Sequence, residues 1–485
     1  MSGERPLRRI DTHMSHVFLG VGHVYKLTRS RRHPFADMST IEARRRACEE
    51  EMLANAAWAP GLYEAVMPLV LDADGSIRLG GSGPVVDWIL KLRRFNDGQL
   101  LAEMADAGRL TPECVARTAQ RVAECHAALP RLRDAGHAVD YRRILEGLRA
   151  TDSEGAAALG VRSTARPLFD ALEREFTRHA RQIEARRRAG WVVRGHGDLH
   201  LGNICLFRGE VTPFDALGFD PRLATADVLY DVGFLLMDLR ARGLDALANL
   251  AMNRYWDASA SPEDALALLP VFMALRAAVR MAVAIEAGDL PAAARYRELG
   301  HELLPSMKPR LVAIGGLSGT GKSTVAQALA PGLPGVCGAR LLRTDTIRKR
   351  AAGVDPRASL PETSYTPAAR AAVYRALADR AAAAFAAGAS VVADATFREP
   401  AARAAIARAA PRGVFQGVWL RTTAEVRIAR VAARHGDASD ATPAVAEAQT
   451  EPTNLGASWR VVDAARPAVE LAAAVRRILL DEEPA

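Results

Sequence analysis

The sequence reads GLSGTGKS from Gly316 to Ser323 and fits the phosphate-binding pattern G-x-x-x-x-G-K-[ST] at every position. The glycines let backbone N–H groups wrap a phosphate, Lys322 reaches the β- and γ-phosphates, and the Ser323 hydroxyl is a ligand for Mg²⁺. A short apolar run before the loop, Leu311–Ile314, predicts a buried parallel strand. The predicted ATP-binding residues are Gly316, Leu317, Ser318, Gly319, Thr320, Gly321, Lys322, Ser323 and Thr324.

Further apolar runs follow the loop at Leu341–Leu342, Val391–Ala393 and Val414–Leu420, with helical patterns between them. This alternation predicts a doubly wound α/β domain. Asp345 and Asp394 each follow a predicted strand, where ligands bind in such sheets. We expect Asp345 to accept the proton of an acceptor hydroxyl or to support Mg²⁺, although it also fits a helix cap. Asp394 is predicted to contact the metal.

Three arginines downstream, Arg427, Arg430 and Arg434, are spaced by three and four residues and therefore share one helix face. A row of Arg over a triphosphate would neutralise charge in the transition state, as a closing lid does. The alternative is an ordinary solvated face, because Arg is frequent throughout this chain.

The C-terminal motifs resemble those of the small P-loop kinases that include zeta-toxin-like and polynucleotide-kinase-like proteins. The resemblance rests on the loop, Arg343-Thr344-Asp345, Asp394-Ala395-Thr396 and Ser439-Asp440-Ala441, and covers about residues 310–475. It implies that Asp345 is the carboxylate on the acceptor side and that Arg430 and Arg434 belong to a lid. It does not identify the acceptor.

A second motif lies in the first half of the chain, where Asp198 is followed by Asn203 and then by Asp215 after a short strand-like run. This order is typical of a kinase-type site. Asp198 would orient or deprotonate the acceptor hydroxyl, and Asn203 and Asp215 would hold Mg²⁺ on the nucleotide phosphates.

Such chemistry also needs a Lys on an N-lobe strand, paired with a Glu on a helix. Lys26 lies in the second strand of a predicted hairpin, Val17–Leu27. The next helix is predicted to begin with a capping box at Ser39 and Glu42. Helical geometry leaves Glu49 and Glu51 as possible partners on the two flanks of its buried face.

These residues resemble the aminoglycoside phosphotransferase-like family over about residues 10–300, and the order of the two parts resembles a known fusion with a P-loop ATP-binding domain. The resemblance favours Glu51 as the partner of Lys26, through Glu51-Met52-Leu53-Ala54-Asn55. One residue departs from the pattern: Gly218 occupies a position where that fusion family generally has Glu, and Asp220 is a possible substitute.

The charge and cysteine content narrow the class of protein. The 485 residues carry a net charge of +8 without any run of five Lys or Arg, which favours solvated helix faces over an anion-binding surface. Five scattered cysteines lack a C-x-x-C pair and predict neither disulfides nor zinc, so a cytoplasmic location is expected. The most apolar stretch, Ala265–Ile285, is interrupted by Pro270 and Arg276 and indicates a buried helix rather than a membrane span.

The predicted architecture is therefore a two-lobe, kinase-like α+β domain at residues 1–303 followed by a P-loop α/β domain at 308–485. We expect an ATP- and Mg²⁺-dependent phosphotransferase acting on hydroxyls of small molecules, with the acceptor and the oligomeric state open. One alternative is a nucleic-acid end kinase or toxin-like enzyme with a binding-only N-terminal part. Another is a non-catalytic ATP-binding regulator.

Overall fold

Contacts divide the chain into two compact units. A computed structural model describes residues 8–12, 14–33, 36–158, 163–218, 224–304, 308–354, 358–411, 413–433 and 440–480. Unit 1 contains Met1–Gly243 and Pro270–Leu304, and unit 2 contains Leu244–Leu269 and Pro305–Ala485. The units differ from the predicted domains because residues 244–269 lie in unit 2. The assignment of domains to residues 1–303 and 308–485 stays a prediction.

Unit 1 begins with an antiparallel sheet whose order is β1-β2-β3-β8-β6-β7, accompanied by a small β4–β5 hairpin and one helix. The predicted hairpin is present, with Val17 opposite Lys26. The elements are β1 (Arg8–Asp11), β2 (Ser15–Leu19), β3 (His23–Thr28), β4 (Arg32–His33), β5 (Ala36–Asp37), α1 (Ile41–Asn55), β6 (Tyr63–Leu71), β7 (Ile77–Leu79) and β8 (Val85–Arg93).

The predicted capping box at Ser39 and Glu42 is wrong by one residue. The N-cap of α1 is Thr40, whose extended backbone lets its hydroxyl accept a hydrogen bond from the Ala43 N–H at 3.1 Å. Glu42 therefore lies in the first turn of the helix.

The rest of unit 1 is a mainly helical lobe that carries two short antiparallel ribbons, β9 with β12 and β10 with β11. Its elements are α2 (Leu101–Asp106), α3 (Pro112–Ala128), α4 (Ala138–Ala158), α5 (Arg166–Arg188), β9 (Val192–Arg194), β10 (Ile204–Phe207), β11 (Glu210–Pro213), β12 (Thr225–Asp227), α6 (Val228–Ala241), α8 (Leu269–Glu286) and α9 (Leu290–Glu302). A sheet-bearing first lobe and a helical second lobe are the predicted kinase-like arrangement, which is confirmed.

Unit 2 is a five-stranded sheet of order β14-β15-β13-β16-β17, in which every neighbouring pair is parallel. The predicted doubly wound P-loop fold is confirmed. Its elements are α7 (Asp245–Ala258), β13 (Leu311–Gly316), α10 (Lys322–Leu329), β14 (Arg340–Arg343), α11 (Thr344–Ala351), α12 (Pro367–Ala386), β15 (Val391–Asp394), α13 (Pro400–Ala407), β16 (Phe415–Arg421), α14 (Ala424–Ala432), α15 (Pro443–Ala448), β17 (Trp459–Asp463) and α16 (Ala468–Leu480).

The register of the parallel strands fixes the position of the site. Ile314 and Arg343 both lie opposite Asp394, so β14 and β15 end at one level and β13 ends slightly beyond them, at Gly316, on the same edge of the sheet. Val312 and Ile314 are fully buried in a cluster shared with α10 and α16, which anchors the strand that leads into the phosphate-binding loop.

The segment 244–269 is tied to the edge strand β14 by buried polar groups. Arg340 has no exposed surface, and its guanidinium donates to Glu263 at 3.0 Å, Asp257 at 2.7 Å and Asn253 at 2.9 Å. The Asn253 amide oxygen also accepts from the Leu341 N–H at 2.7 Å. A buried cation is tolerated only with such partners, so a fragment beginning near residue 308 would leave Arg340 unpaired.

Among the described residues, one helical stretch, Glu263–Glu286, is long and apolar enough to cross a membrane by length and composition. Inside the protein, 78% of its most apolar window is buried, as expected of a core helix.

The cluster around Arg340 predicts a stability defect. Glu263→Gln should lower the free energy of unfolding by about 3 kcal/mol, at the low end for breaking a buried ion pair, because Asp257 still faces Arg340. Equilibrium unfolding of the full chain measures this, with Glu470→Gln on the exposed face of α16 as the control. Equal stability of the two variants would contradict the role of the cluster.

The same cluster should respond to pH. Burial opposes the charge of Glu263, but Arg340 and Arg380 outweigh it and lower the pKa of Glu263 from its ordinary 4.5. The ion pairs of Glu263 therefore stabilise the folded protein fully above pH 4.5. Their contribution is lost as the pH falls through the lower pKa of Glu263 in the folded protein. The difference in stability between wild type and Glu263→Gln should shrink in that acidic range.

Candidate active sites

The phosphate-binding loop of unit 2 connects the end of β13 to α10, which begins at Lys322. The Lys322 ammonium donates to the Leu317 carbonyl at 2.9 Å. Gly319 has φ +88°, and a Cβ there would stand 2.3 Å from the Arg427 carbonyl oxygen, so only glycine fits beneath α14. The loop, the lysine and the helix N-terminus form an anion-binding site of the usual P-loop kind.

Ser323 and Asp394 meet beside the loop. The Ser323 hydroxyl donates to Asp394 at 2.6 Å, and Arg343 donates to the same Asp394 oxygen at 3.2 Å and to Ser323 at 3.0 Å. A hydroxyl and one carboxylate next to a phosphate site suit Mg²⁺, which takes few protein ligands and completes its shell with phosphate oxygens and water. The oxygens of Ser323 and Asp394 are therefore of the type that the expected metal prefers. The guanidinium group of Arg343 donates hydrogen bonds to the same two oxygens.

Asp345 lies in the first turn of α11 and is not its N-cap, a position that Arg343 occupies. Burial raises the pKa of its carboxyl above the ordinary value, and Asp394 adds to this, while Arg348, Arg343 and Lys322 oppose it. Arg348 pairs with Asp345 at 3.0 Å. A carboxylate with a raised pKa beside a phosphate site is suited to accept a proton.

The three arginines predicted to line a lid are not equivalent. Arg430 lines the cavity and donates to the Ala464 carbonyl at 2.9 Å. Arg427 is buried and donates to the Ala446 carbonyl at 2.6 Å, so it ties α14 to α15 instead of facing a nucleotide. Arg434 lies outside the described residues.

The site contains residues that sequence reasoning missed. Gln449 accepts from the Ser318 N–H at 2.7 Å and donates to the Ser318 hydroxyl at 3.1 Å, which ties the loop to the segment after α15. Asp440 accepts from the buried Lys349 at 3.1 Å and from the Tyr365 hydroxyl. Burial of Lys349 would have indicated that it has an acidic partner such as Asp440. The sequence of one helical turn does not reveal whether Lys349 is buried.

The unit 2 residues line one cavity of about 1670 Å³. A small-molecule site usually has roughly 300–1,000 Å³, so this cavity has room for a nucleotide and a second small ligand. Its lining includes Lys322, Ser323, Asp345, Asp394 and Arg430.

In unit 1 the structure brings Lys26, Glu51 and Asp215 together. The Lys26 ammonium lies 2.9 Å from Glu51 and 2.6 Å from Asp215. Burial disfavours its charge, but the two carboxylates raise the pKa of Lys26 above its ordinary value. Lys26 therefore remains a fixed positive charge beside the Asp predicted to bind metal.

Asp198 and Asn203 share one loop. The Asn203 amide donates to the Asp198 carboxylate at 2.8 Å and to its backbone oxygen at 3.0 Å. Burial opposes the charge of Asp198, but a hydrogen bond from His200 and the nearby His196 and Arg276 lower the pKa of Asp198 to about 2. The Asn203 amide nitrogen donates to Asp198, so the amide oxygen of Asn203 is the atom that can bind a metal. Together with the Asp215 carboxylate, this oxygen fits Mg²⁺ on nucleotide phosphates.

Two buried acids of α6 hold this loop in place, and neither was predicted. Asp231 accepts from the backbone N–H groups of His196 at 2.7 Å and Gly197 at 2.9 Å, and Asp238 accepts from Leu201 at 2.9 Å. They lie seven residues apart, two turns along one face of an otherwise apolar helix. Acids in the sequence VLYDVGFLLMDLRA were the available signal, since a buried carboxylate needs donors.

Gly218 lies directly against α1. A Cβ there would stand 2.5 Å from the Glu51 backbone nitrogen, so no side chain fits without moving the helix that carries Glu51. The departure from the resembled pattern is therefore accommodated by close packing. Asp220, the possible substitute, lies outside the described residues.

A protein-family model described as "AAA domain" matches residues 311–453. Among solved structures, a gluconokinase from Sinorhizobium meliloti 1021 has 23% identity and TM-score 0.26, covering 36% of this chain and 99% of its own. A glucosamine kinase has 19% identity and TM-score 0.38, covering 63% and 78%. The GDP and kanamycin complex of APH(2″)-IIIa has 14% identity and TM-score 0.38, covering 62% and 93%. These TM-scores are low and add nothing to what the strands and helices show.

Uncharacterized proteins of Mycobacterium tuberculosis and Mycobacterium bovis are each 30% identical over 458 residues, which covers 90% of this chain and 88% of the relative. The match extends over both units. The chain therefore belongs to the same family as these mycobacterial proteins.

Proposed function

We propose that the protein is a cytoplasmic, ATP- and Mg²⁺-dependent phosphotransferase with two phosphoryl-transfer modules, each acting on a hydroxyl group of a small molecule. The observation that carries this proposal is the convergence of Lys322, Ser323, Asp394 and Asp345 on one cavity of unit 2. A P-loop lysine, a pair of metal-type oxygens and a carboxylate with raised pKa are the parts that phosphoryl transfer needs.

In unit 2 the backbone N–H groups of the loop and Lys322 bind the β- and γ-phosphates of ATP. Ser323 and Asp394 would hold Mg²⁺, which would supply positive charge to neutralise the phosphates. Asp345 accepts the proton of the acceptor hydroxyl while that oxygen bonds to the γ-phosphorus. The bond from the γ-phosphorus to the bridging oxygen breaks, ADP leaves, and the proton passes to solvent. Arg430 lies in the same cavity and offsets the charge that develops on the phosphates.

In unit 1 the division of labour is similar but the carboxylate differs. Asp198 has a pKa of about 2 and is ionised at neutral pH, so it orients the hydroxyl and takes its proton only as the new bond forms. Lys26, positioned by Glu51, binds nucleotide phosphates, and Asn203 and Asp215 offer oxygens to the metal. Asp231 keeps the backbone of the Asp198 loop fixed and acts as a positioning residue.

Lys322→Ala should remove one of two ATP equivalents from the full chain. Charge-assisted contacts of about 1.5–3 kcal/mol are lost, which corresponds to roughly 10–150-fold in affinity. Calorimetric titration with a non-hydrolysable ATP analogue measures the stoichiometry, with Lys308→Ala on the exposed strand entry as the control. If the Lys322→Ala variant keeps two ATP sites of unchanged affinity, the assignment of the loop as an ATP-binding site is wrong.

Asp198→Asn should lower kcat of unit 1 by about 10²–10⁴-fold with little change in KM for ATP, because Asn cannot take a proton. The measurement is transfer of labelled phosphate into a metabolite extract and then into the acceptor found there. It is made in a Lys322→Ala background, which silences unit 2, with exposed Asp134→Asn as the control. Near-wild-type turnover would show that unit 1 is a ligand-binding relative of kinases.

The kcat of unit 2 should fall at acidic pH because Asp345 becomes protonated, which gives the pH–rate profile an acidic limb. Its carboxyl must be ionised to accept a proton, so kcat rises with pH through a pKa above the ordinary 3.8. Arg348→Gln removes the paired cation and should move this limb upward by about 1–3 pH units. The pH–rate profile is recorded in an Asp198→Asn background, which silences unit 1. A limb that does not move in Arg348→Gln would exclude Asp345 as the proton acceptor.

A further inference from the structure

The cavity of unit 2 has an acceptor side that the ATP machinery does not account for. This side is formed by the helices and loops beyond Asp345. Its lining residues are Arg348, Tyr365, Arg370, Tyr374, Arg375, Thr396, Arg398 and Glu399.

One part of this lining is already matched in charge. Arg348 pairs with Asp345 at 3.0 Å and stacks over the Tyr365 ring at 4.7 Å. The Tyr365 hydroxyl in turn donates to Asp440, which also pairs with Lys349. These groups form a closed network, so they explain the position of Asp345 and leave no surplus charge.

The other part carries a surplus of positive charge. Among the residues that the structure describes, the guanidinium groups of Arg370, Arg375 and Arg398 make no hydrogen bond or ion pair with another side chain. Glu399 also lines the cavity and offsets one of these three positive charges. Arg370 and Arg375 flank Tyr374 on α12, so three guanidinium groups and a single carboxylate border the same space.

The turn that precedes Arg398 has a strained backbone and is held by hydrogen bonds. Phe397 has φ +48°, an uncommon conformation for a residue with a side chain. It is fully buried, and its N–H donates to the Tyr374 hydroxyl at 3.1 Å, which also bonds the Thr396 hydroxyl at 2.9 Å. Strain of this kind persists where the surroundings over-determine it, often at ligand sites.

We propose that the acceptor of unit 2 is a small anion that carries a carboxylate or phosphate group beside its hydroxyl. Arg370, Arg375 and Arg398 bind the anionic group, since guanidinium forks match both kinds of oxyanion. The hydroxyl then faces Asp345. This inference rests on the proposed function of unit 2. The volume of about 1670 Å³ suits a nucleotide with one further metabolite rather than a polymer.

The test is binding of matched anionic and neutral compounds to the full chain. The loop is first saturated with Mg²⁺ and a non-hydrolysable ATP analogue, so that anions cannot occupy it. D-gluconate is compared with sorbitol, and glycerol 3-phosphate with glycerol, by calorimetry at constant ionic strength. The variants are Arg370→Ala combined with Arg398→Ala, the same pair changed to Lys, and Arg408→Ala, an exposed residue outside the cavity lining.

At least one anion should bind at least 10-fold more tightly than its neutral counterpart. The Ala pair should lose that difference, the Lys pair should retain part of it, and Arg408→Ala should behave as wild type. Equal binding of anionic and neutral compounds, or an unaffected Ala pair, overturns the proposal. Tighter binding of a single-stranded oligonucleotide through the same arginines would replace the metabolite with a nucleic acid. Failure of the ATP analogue to bind refutes the proposed function itself, which separates the two outcomes.

Discussion

Parallel pairing of the strands in unit 2 is the constraint on which the candidate site depends. Parallel strands in register end at the same level, so the residues that follow them become neighbours whatever their distance in sequence. Ile314, Arg343 and Asp394 lie in register in this way, near the carboxyl ends of their strands. The phosphate-binding loop, the metal-type oxygens and Asp345 thus converge because of backbone hydrogen bonding, and side-chain contacts such as Ser323 with Asp394 only refine the arrangement.

In unit 1 the candidate site is positioned by contacts between a loop and a helix, and not by parallel strands. The loop that carries Asp198 and Asn203 has little regular structure and is held by carboxylates of the buried helix α6. Asp231 and Asp238 accept backbone N–H groups of the loop that carries Asp198 and Asn203. A buried carboxylate is costly without donors, so the loop and the helix each satisfy what the other lacks. That mutual dependence fixes the backbone of the loop that carries Asp198.

The two proposed proton acceptors differ for a physical reason. Asp198 is surrounded by His200, His196 and Arg276, which favour its charge. Asp345 is also buried, but Asp394 stands nearby and adds to the effect of burial, so its pKa rises. One chain therefore presents two carboxylates of opposite tendency in sites of similar purpose. The surplus of arginine in the same cavity is the basis for the proposed anionic acceptor.

Resemblance predicts the kinase-like fold of the first unit. The sequence alone predicts the P-loop α/β fold and the kinase-type motif of Asp198, Asn203 and Asp215, because local spacing encodes turns and strand ends. It also indicated Lys26 and, through resemblance, Glu51. The tertiary structure decided what depends on distant packing. It placed residues 244–269 in unit 2 through Arg340, turned Arg427 away from the cavity, and gave Gly218 its contact with α1. Burial and partners of a polar side chain are set by elements far apart in the chain, so composition and periodicity cannot reveal them.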